Sequence, residues 1–421
     1  MGSRNTCITV SSDSISRFIH TFIPTVFVLM AVVLNPARVQ GQTTADLFNP
    51  DVVQEIRLSI NSRDLRELHE RYQENTYYSA DLLWQGQRVR NVGVRSRGTG
   101  SRNPIKLGLR VDFDRYTTGQ TFLGLRSLIL DNNWQDPSLL AERAAMAFFE
   151  RLGQPAPRES YCRLYINNGF EGLYSIVESI DAPFLARVYD SDQGYLFRFD
   201  YQAAWHGEYL GDDLAVYKPF FEPETHKLEA DVMLYAPIRD LFREANGPED
   251  AVWRERVEQF IDLRQLVRHV AIESFLSEDD GFIGAFGMNN FYLYRPAGSS
   301  IHRLLPWDKD NTFADVNRSI FFRTNENVLV DRALGYSDLR ALYLDVLDEC
   351  ARSAADGDWL ANEIEWLAAL ASGPAGEDTL KQFSTEAFQA AVDRIRRFAT
   401  ERSRLVLDEA ARARAASGNV P

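Results

Sequence analysis

The chain has 421 residues, of which 46 are Lys or Arg and 60 are Asp or Glu, so its formal net charge is −14. A hydrophobic content of 45%, with 12% aromatic residues, supports a large buried core and excludes a wholly disordered chain. The acidic balance gives no electrostatic basis for binding nucleic acid. Only five of the basic residues are lysines, at positions 106, 218, 227, 309 and 381. Chemistry that needs an amine therefore has few candidate residues.

Residues 1–41 are typical of a signal peptide for export. A basic, polar start precedes an apolar stretch at residues 18–34, and small residues near Gly41 are typical of a cleavage site. The alternative is that this stretch anchors the chain in a membrane, although its unbroken part is short for a span. Two cysteines remain beyond the signal, and an oxidising compartment would allow one disulfide between Cys162 and Cys350.

The first half of the chain beyond the signal is predicted to be rich in strands. Two helices are also expected, and their start signals include Asp136-Pro137-Ser138, with a stop at Gly153. The sequence Asn167-Asn168-Gly169 predicts a tight turn between the last two strands, which then form a hairpin. Strands are expected at 54–60, 87–96, 104–113, 161–166 and 172–178, and helices at 64–72 and 139–152.

The second half is predicted to be mostly helical with one embedded hairpin. Helical periodicity covers residues 232–276 and 359–415, and strands at 289–295 and 301–306 predict the hairpin. No linker rich in Pro, Gly or Ser divides the halves. We therefore expect an α+β fold of two packed lobes, with a sheet-rich N-terminal lobe at 42–180 and a mostly helical C-terminal lobe at 181–421.

Acidic and amide side chains flank this second hairpin. Asp279 and Asp280 precede its first strand, at whose start Asn290 lies, and Asp308 and Asp310 directly follow its second strand. Antiparallel pairing makes these two ends neighbours, so Asp280, Asn290 and Asp308 are expected to converge. Oxygen donors of this kind suit Mg²⁺ or Mn²⁺ and a base for phosphoryl transfer.

Other interpretations stay open on spacing alone. The same residues are compatible with an acidic turn cluster without a catalytic role, or with a structural Ca²⁺ site. Asp279 and Asp280 are also compatible with the acid/base pair of a glycosidase or with a carbohydrate-binding site.

A second candidate group lies in the first half. Residues 95–101 form a bend between strands that is rich in glycine and hydroxyl groups, and Lys106 follows on a predicted strand. Such a turn offers backbone N–H groups to phosphates, and the lysine offers an ammonium group. On its own this is a weak signal, because glycine-rich turns and solvent-facing strand lysines are common.

At this point the sequence resembles the spore-coat protein H (CotH) kinase-like family. The resemblance runs in order from about residue 50 to 400. The matching segments are NVGVRSRG at 91–98, Lys106, residues 128–133, GQPAP at 153–157, LYIN at 164–167, GLY at 172–174, ESID at 178–181, NNFYLY at 289–294 and PWDKDNTF at 306–313.

The resemblance implies an atypical, two-lobed, protein-kinase-like fold that binds ATP. By position, Lys106 resembles the strand lysine that holds the α- and β-phosphates, and Glu142 is its best partner. Residues 178–181, with Glu178 as the candidate nucleotide contact, lie where a hinge between the lobes would touch the adenine. The turn that covers the phosphates is matched by residues that include Arg97, Gly98 and Ser101.

The resemblance also implies transfer of the γ-phosphoryl group to serine or threonine hydroxyls, with Mg²⁺ or Mn²⁺ as cofactor. Asp280, with Asp279 as its rival, resembles the loop aspartate that accepts the proton of the substrate hydroxyl. Asn290 and Asp308 resemble the metal-binding pair, to which Asp310 adds a further contact.

Two departures from the family pattern stand out. The phosphate turn reads Gly98-Thr99-Gly100-Ser101, where the family more often has Gly-Asn-Ser-Ser, but its small and hydroxyl character is kept. Ten residues separate Asp280 from Asn290, compared with about five in kinase catalytic loops. Two outcomes are open for this longer loop. Either residues 281–288 bulge and Asp280 still reaches the site, or Asp280 no longer has the role of the catalytic aspartate.

The leading hypothesis is an exported kinase that acts on Ser/Thr of a secreted or surface-coat protein. A non-catalytic surface or adhesion protein with the same fold is the second, and a polysaccharide-associated binder is the third.

Overall fold

A computed structural model describes residues 41–418. The predicted signal, apart from Gly41, lies outside the described residues. From Gln42 onward the chain forms one compact unit. In this described part, no helix combines the length and the apolar character that crossing a bilayer requires.

Within the described residues, seven strands of the first half close into a barrel in the order β1-β2-β3-β4-β5-β7-β6. β1 and β6 pair in parallel, which closes the barrel, and the other neighbours pair antiparallel. Alternate residues of β1 point into the barrel core, as period-two patterning requires. The strands are β1 (Val53–Ile60), β2 (Tyr78–Trp84), β3 (Gln87–Ser96), β4 (Leu109–Asp112), β5 (Ser127–Asp131), β6 (Glu159–Ile166) and β7 (Gly169–Glu178).

A second, antiparallel sheet has the order β11-β10-β8-β9. Its strands are β8 (Tyr195–Phe199), β9 (Phe221–Pro223), β10 (Phe291–Arg295) and β11 (Arg303–Pro306). The predicted hairpin of the second half is therefore confirmed. Because Phe291 pairs with Pro306, the residues just before β10 and just after β11 are neighbours.

Most of the remaining regular structure in the described residues is helical, and the helices are concentrated in the second half. They are α1 (Thr44–Leu47), α2 (Ser62–Glu70), α3 (Ala141–Arg151), α4 (Ala182–Tyr189), α5 (Asp231–Ala245), α6 (Trp253–Val257), α7 (Leu263–Leu276), α8 (Val328–Gly335), α9 (Ser337–Ala355), α10 (Trp359–Glu377) and α11 (Thr385–Gly418). Short 3₁₀ turns lie at Leu214–Val216 and Asp356–Asp358. The overall class is therefore a mixed α+β fold.

The hydrophobic core of the helical part extends into the first half of the chain. Phe148 and Phe149 of α3 belong to this core, and the ring of Phe148 stacks on that of Phe275 at 5.2 Å. The barrel has a separate core. Cys162 is buried in the barrel core and Cys350 in the helical core, and both are free thiols.

Local predictions in the first half are confirmed except at one strand. Asn167 and Asn168 have φ values of 49° and 69°, as a tight two-residue hairpin turn requires. The strand predicted at 104–113 is wrong in its first part, because β4 begins only at Leu109. Asn103 Oδ1 accepts hydrogen bonds from the backbone N–H groups of Ile105 and Lys106, at 3.0 and 2.8 Å. These bonds fold the segment into a turn, so Lys106 does not lie on a strand.

Candidate active site

A cavity of about 860 Å³ lies between the barrel and the second sheet. This volume is typical of sites for small molecules, which occupy roughly 300–1,000 Å³. Three segments that are distant in sequence contribute to its wall: the turn after β3, the loop before β10 and the segment after β11. The predicted residues that line it are Arg97, Gly98, Ser101, Asp280, Asn290, Asp308 and Asp310.

Asp280 and Asn290 are in direct contact despite their separation in sequence. Asp280 Oδ2 accepts hydrogen bonds from Asn289 Nδ2 and Asn290 Nδ2, at 3.0 and 3.2 Å. The backbone N–H of Asn289 donates to the carbonyl of Gly281 at 3.0 Å, which closes the intervening loop at its base. The loop therefore bulges and still delivers Asp280 to the cavity. Burial raises the pKa of Asp280 above its usual value, even though these amides favour the ionised form.

Asp308 and Asp310 reach the cavity from the end of β11. Asn290 and Asp308 both have a φ of 53°, in the left-handed region that asparagine and aspartate tolerate better than most residues. Burial raises the pKa of Asp308 to about 6, although Arg97 acts in the opposite direction. Burial and the nearby Asp308 carboxylate raise the pKa of Asp310 well above its usual value.

The donor set at this end of the cavity suits a hard divalent cation. Among the residues that the structure describes, no three His, Cys, Asp or Glu side chains form a ready metal-binding group. The set consists instead of the Asp308 and Asp310 carboxylates and the Asn290 amide, whose Nδ2 already donates to Asp280. Carboxylate and amide oxygens are ligands for Mg²⁺ and Mn²⁺, and a cation would offset the repulsion between the two carboxylates.

A buried ion pair beneath the cavity joins the segments that carry these residues. Lys309 Nζ donates to Glu273 Oε1 at 2.7 Å and to the backbone carbonyl of Asn290 at 2.9 Å. Glu273 of α7 also contacts His269 Nε2, at 3.1 Å, and accepts from the backbone N–H of Phe282 at 2.9 Å. Burial opposes ionisation of Glu273, but Lys309 and His269 outweigh it and lower its pKa to about 2. This network holds Asn290 and the start of the loop against α7.

The turn at 97–101 forms the barrel side of the cavity. Gly98 has a φ of 103°, and a Cβ there would lie 2.4 Å from Ser101 Oγ, so the turn requires glycine. Arg97 forms an ion pair with Asp131, and its guanidinium lies 5.7 Å from the centre of the Trp307 ring. Burial works against its charge, but the carboxylates of Asp131 and Asp308 raise the pKa of Arg97.

Arginines rather than lysine supply the positive charge of the cavity. Besides Arg97, the cavity is lined by Arg95, which belongs to the candidate bend at 95–101, and by Arg102, Arg110 and Arg198, which no sequence pattern singled out. Arg102 Nε donates to the carbonyl of Gly98 at 2.6 Å and so braces the turn. Arginine is abundant in this chain, so residue type alone gave no signal for these positions. Their common location depends on how the barrel and the second sheet, which carries Arg198 on β8, face each other across the cavity.

Lys106 does not line the cavity, in contrast to its predicted role. Its side chain is 1% exposed, and Nζ donates to Asp378 Oδ2 at 2.7 Å and to the carbonyl of Leu173 at 2.8 Å. Glu142, its predicted partner, forms no ion pair with it within the described chain. Burial and the neighbouring Glu159 raise the pKa of Glu142 well above its usual value. The expected Lys106–Glu142 pair is therefore corrected to a Lys106–Asp378 pair.

Two further predicted residues point elsewhere. Glu178 is 1% exposed and forms ion pairs with Arg158 and Arg187, at 2.7 and 2.6 Å. Its carboxylate is thus engaged away from the cavity lining, which does not fit the expected adenine contact. Asp279 forms an ion pair with Arg318 at 2.8 Å, which leaves Asp280 as the carboxylate that faces the cavity.

Sequence comparison defines the class of protein to which this fold and cavity belong. A family model described as CotH kinase protein matches residues 94–406. The chain therefore belongs to the CotH kinase protein family.

Individual relatives agree with this membership. The chain is 25% identical over 323 residues to inner spore coat protein H of Bacillus subtilis (strain 168). The matched region covers 73% of this chain and 84% of that protein. It is 46% identical over 55 residues to an inner spore coat protein H-like protein of the same organism, covering 13% of this chain and 18% of the relative. The crystal structure of the Helicobacter pylori proinflammatory kinase CtkA aligns with this chain at 13% identity and a TM-score of 0.35. The alignment covers 74% of this chain and 95% of the CtkA chain. That TM-score is too low to compare the folds in detail.

Proposed function

We propose that this chain is an atypical protein kinase with a two-lobed arrangement, which transfers the γ-phosphoryl group of ATP to serine or threonine hydroxyls of another protein. One observation carries the proposal: Asp280, Asn290 and Asp308 line a single cavity together with the turn at 97–101. Membership in the CotH kinase protein family supports the same conclusion.

In this proposal Asp280 is the catalytic base. The oxygen of the acceptor hydroxyl attacks the γ-phosphorus, its proton passes to the Asp280 carboxylate, and the bond to the β-phosphate oxygen breaks to release ADP. Burial raises the pKa of Asp280, which makes the carboxylate a stronger base than an exposed aspartate. Asn289 and Asn290 hold the carboxylate in place through their amide hydrogen bonds.

The phosphates are assigned to the barrel side of the cavity. Arg97 and the backbone N–H groups of the turn at 97–101 would bind them, the arginine through charge-assisted hydrogen bonds. Asn290 and Asp308, with Asp310 as a further ligand, would hold Mg²⁺ or Mn²⁺. When bound there, such an ion supplies positive charge that offsets the charge of the phosphates.

We further propose that the protein acts outside the cytosol. The signal-like sequence at residues 1–41 supports export, and one relative is an inner spore coat protein by name. The acceptor would then be an exported or coat protein with accessible Ser/Thr residues. A basic acceptor would be attracted by the net charge of −14.

The experiment is phosphate transfer from γ-labelled ATP, with Mg²⁺ or Mn²⁺, to a mixed Ser/Thr peptide library and to the chain itself. Asp280→Asn and Asp308→Asn should each reduce incorporation by roughly 10²–10⁴-fold. Asp279→Asn is the matched control, because this neighbouring carboxylate pairs with Arg318 and does not line the cavity. The proposal fails if the wild-type chain neither binds ATP nor incorporates phosphate, a result that would favour a non-catalytic surface protein.

A further inference from the structure

The loop between Asp280 and Asn289 is folded back on itself. The backbone N–H of Ala285 donates to the carbonyl of Asp279 at 2.7 Å, and that of Asn289 donates to the carbonyl of Gly281 at 3.0 Å. The first bond places residue 285 directly beside the segment that carries Asp280. Residues 281–288, which make this loop longer than the catalytic loops of kinases, therefore form a compact loop next to the proposed base.

Glycines and an arginine hold this loop in one conformation. Gly287 has a φ of 93°, and a Cβ there would lie 2.6 Å from the backbone of Trp205. A Cβ at Gly284 would lie 2.9 Å from the Cα of Asp280, so the loop packs against the catalytic segment with no spare room. From outside, Arg323 donates to the carbonyl of Ala285 at 3.1 Å. These contacts hold the backbone of the loop in one conformation beside Asp280.

The two phenylalanines of this loop have opposite environments. Phe282 is 2% exposed, and its ring packs edge-on against Phe291 with centres 5.1 Å apart. Phe286 is 62% exposed and lines the same cavity as Asp280. A single exposed phenylalanine is unremarkable on a protein surface. On a constrained loop that lines the cavity beside the proposed base, however, it offers an apolar contact to a ligand that covers it.

We propose that Phe286 binds an apolar side chain of the acceptor polypeptide, close in sequence to the serine or threonine that is phosphorylated. This inference rests on the proposed kinase function and assigns part of its substrate specificity. The acceptor hydroxyl must come within hydrogen-bond reach of Asp280, roughly 2.6–3.2 Å. An extended peptide advances about 3.3 Å per residue, so a residue one to three positions from the hydroxyl can reach Phe286.

The nucleotide is the other ligand that could contact Phe286, and the structure favours the acceptor. The phosphates are assigned to the turn at 97–101, which comes from the barrel. Phe286 belongs instead to the loop that starts at Asp280, the residue that must touch the acceptor hydroxyl.

The test uses a peptide library with a fixed central serine and varied flanking positions, labelled ATP and Mn²⁺, and the full chain. We expect the wild type to prefer Phe, Leu, Ile or Met at one position within three residues of the serine, by roughly tenfold over polar residues. Phe286→Ser should remove this preference and leave the KM for ATP unchanged, and Phe286→Leu should retain most of it. Leu228→Ser is the matched control, because Leu228 is fully exposed and does not line the cavity.

The possible failures have distinct signatures. Active wild type with no apolar preference, or Phe286→Ser with the preference intact, would overturn this inference and leave the kinase proposal standing. A raised KM for ATP in Phe286→Ser, with the peptide preference unchanged, would also overturn it by assigning Phe286 to the nucleotide. Wild type that phosphorylates no peptide in the library and does not label itself would overturn the proposed function, and this inference with it.

Discussion

Lys106 and Asp378 form a fully buried ion pair, with side chains 1% and 0% exposed. Replacing Lys106 by Met would leave the Asp378 carboxylate buried without its cation, a change that typically costs about 3–5 kcal/mol. Asp378 also accepts hydrogen bonds from the backbone N–H groups of Leu173, Leu380 and Lys381, at 3.1, 2.9 and 2.9 Å. These bonds partly stabilise the remaining carboxylate, so we expect a loss near the lower limit, about 3 kcal/mol.

The double variant Lys106→Met/Asp378→Asn separates a structural role from a phosphate-binding role. Asparagine removes the charge and keeps an oxygen for the backbone N–H groups of Leu380 and Lys381, but its Nδ2 cannot accept the hydrogen bond from Leu173. We therefore expect the double variant to regain only part of the lost free energy of unfolding. Because Lys106 does not line the cavity, phosphoryl transfer by the double variant should stay within a few-fold of the wild type.

The assay is urea unfolding, combined with kcat/KM for ATP at a temperature where each variant is folded. Lys227→Met is the matched control, since this lysine is 54% exposed and its loss should change stability by less than about 1 kcal/mol. A stable double variant that has lost transfer by more than about 100-fold would refute the reasoning. Such a loss, about 2.7 kcal/mol of transition-state stabilisation, would mean that Lys106 acts on the phosphates.

Two further predictions concern the cavity and the ion pair beneath it, and a third concerns His302, a buried histidine just before β11 whose Nδ1 lies 2.7 Å from the carbonyl of Phe260. Arg97→Gln should lower kcat/KM for ATP by roughly 10–150-fold, the equivalent of one charge-assisted hydrogen bond to phosphate, and steady-state kinetics would refute the assignment if kcat/KM were unchanged. Glu273→Gln leaves Lys309 buried without its carboxylate and should reduce the free energy of unfolding by about 3–5 kcal/mol, whereas an unchanged urea midpoint would contradict the importance of this pair. Burial lowers the pKa of His302 to about 3, so the fold keeps this residue neutral while the unfolded chain protonates below about pH 6.5. The stability that results from keeping His302 neutral is fully present above pH 6.5 and is lost as the pH falls towards 3, by up to about 1.4 kcal/mol per pH unit. In His302→Asn, the free energy of unfolding should therefore depend less steeply on pH in this range. An equally steep pH dependence would contradict the assignment.

Local sequence signals predicted most of the elements that surround the site. The strand at 87–96 matches β3, and the hairpin before Asp308 follows from two apolar runs around a short turn. Antiparallel pairing then sufficed to predict that Asp280, Asn290 and Asp308 meet in one place. These predictions succeeded because the hairpin and its flanking residues are close in sequence.

Contacts between distant segments were beyond this reasoning. Lys106 and Asp378 are 272 positions apart, and no local pattern indicates that they meet. His269 and Glu273 contact each other within one helix, but the link from Glu273 to Lys309 depends on how α7 packs under the hairpin. The error at Lys106 also has a local cause, since the Asn103 side chain replaces strand pairing with a turn.

The central claim is that one cavity holds both the nucleotide phosphates and the base. A crystal structure of the full chain with a non-hydrolysable ATP analogue and Mg²⁺ would test it most directly. We expect the phosphates to lie against Arg97 and the turn at 97–101, and a cation to be bound by Asn290 and Asp308. The Asp280 carboxylate should lie within reach of a hydroxyl that attacks the γ-phosphate, directly or through one water. Phosphates bound at Lys106, or a γ-phosphate too far for Asp280 to reach through one water, would contradict it.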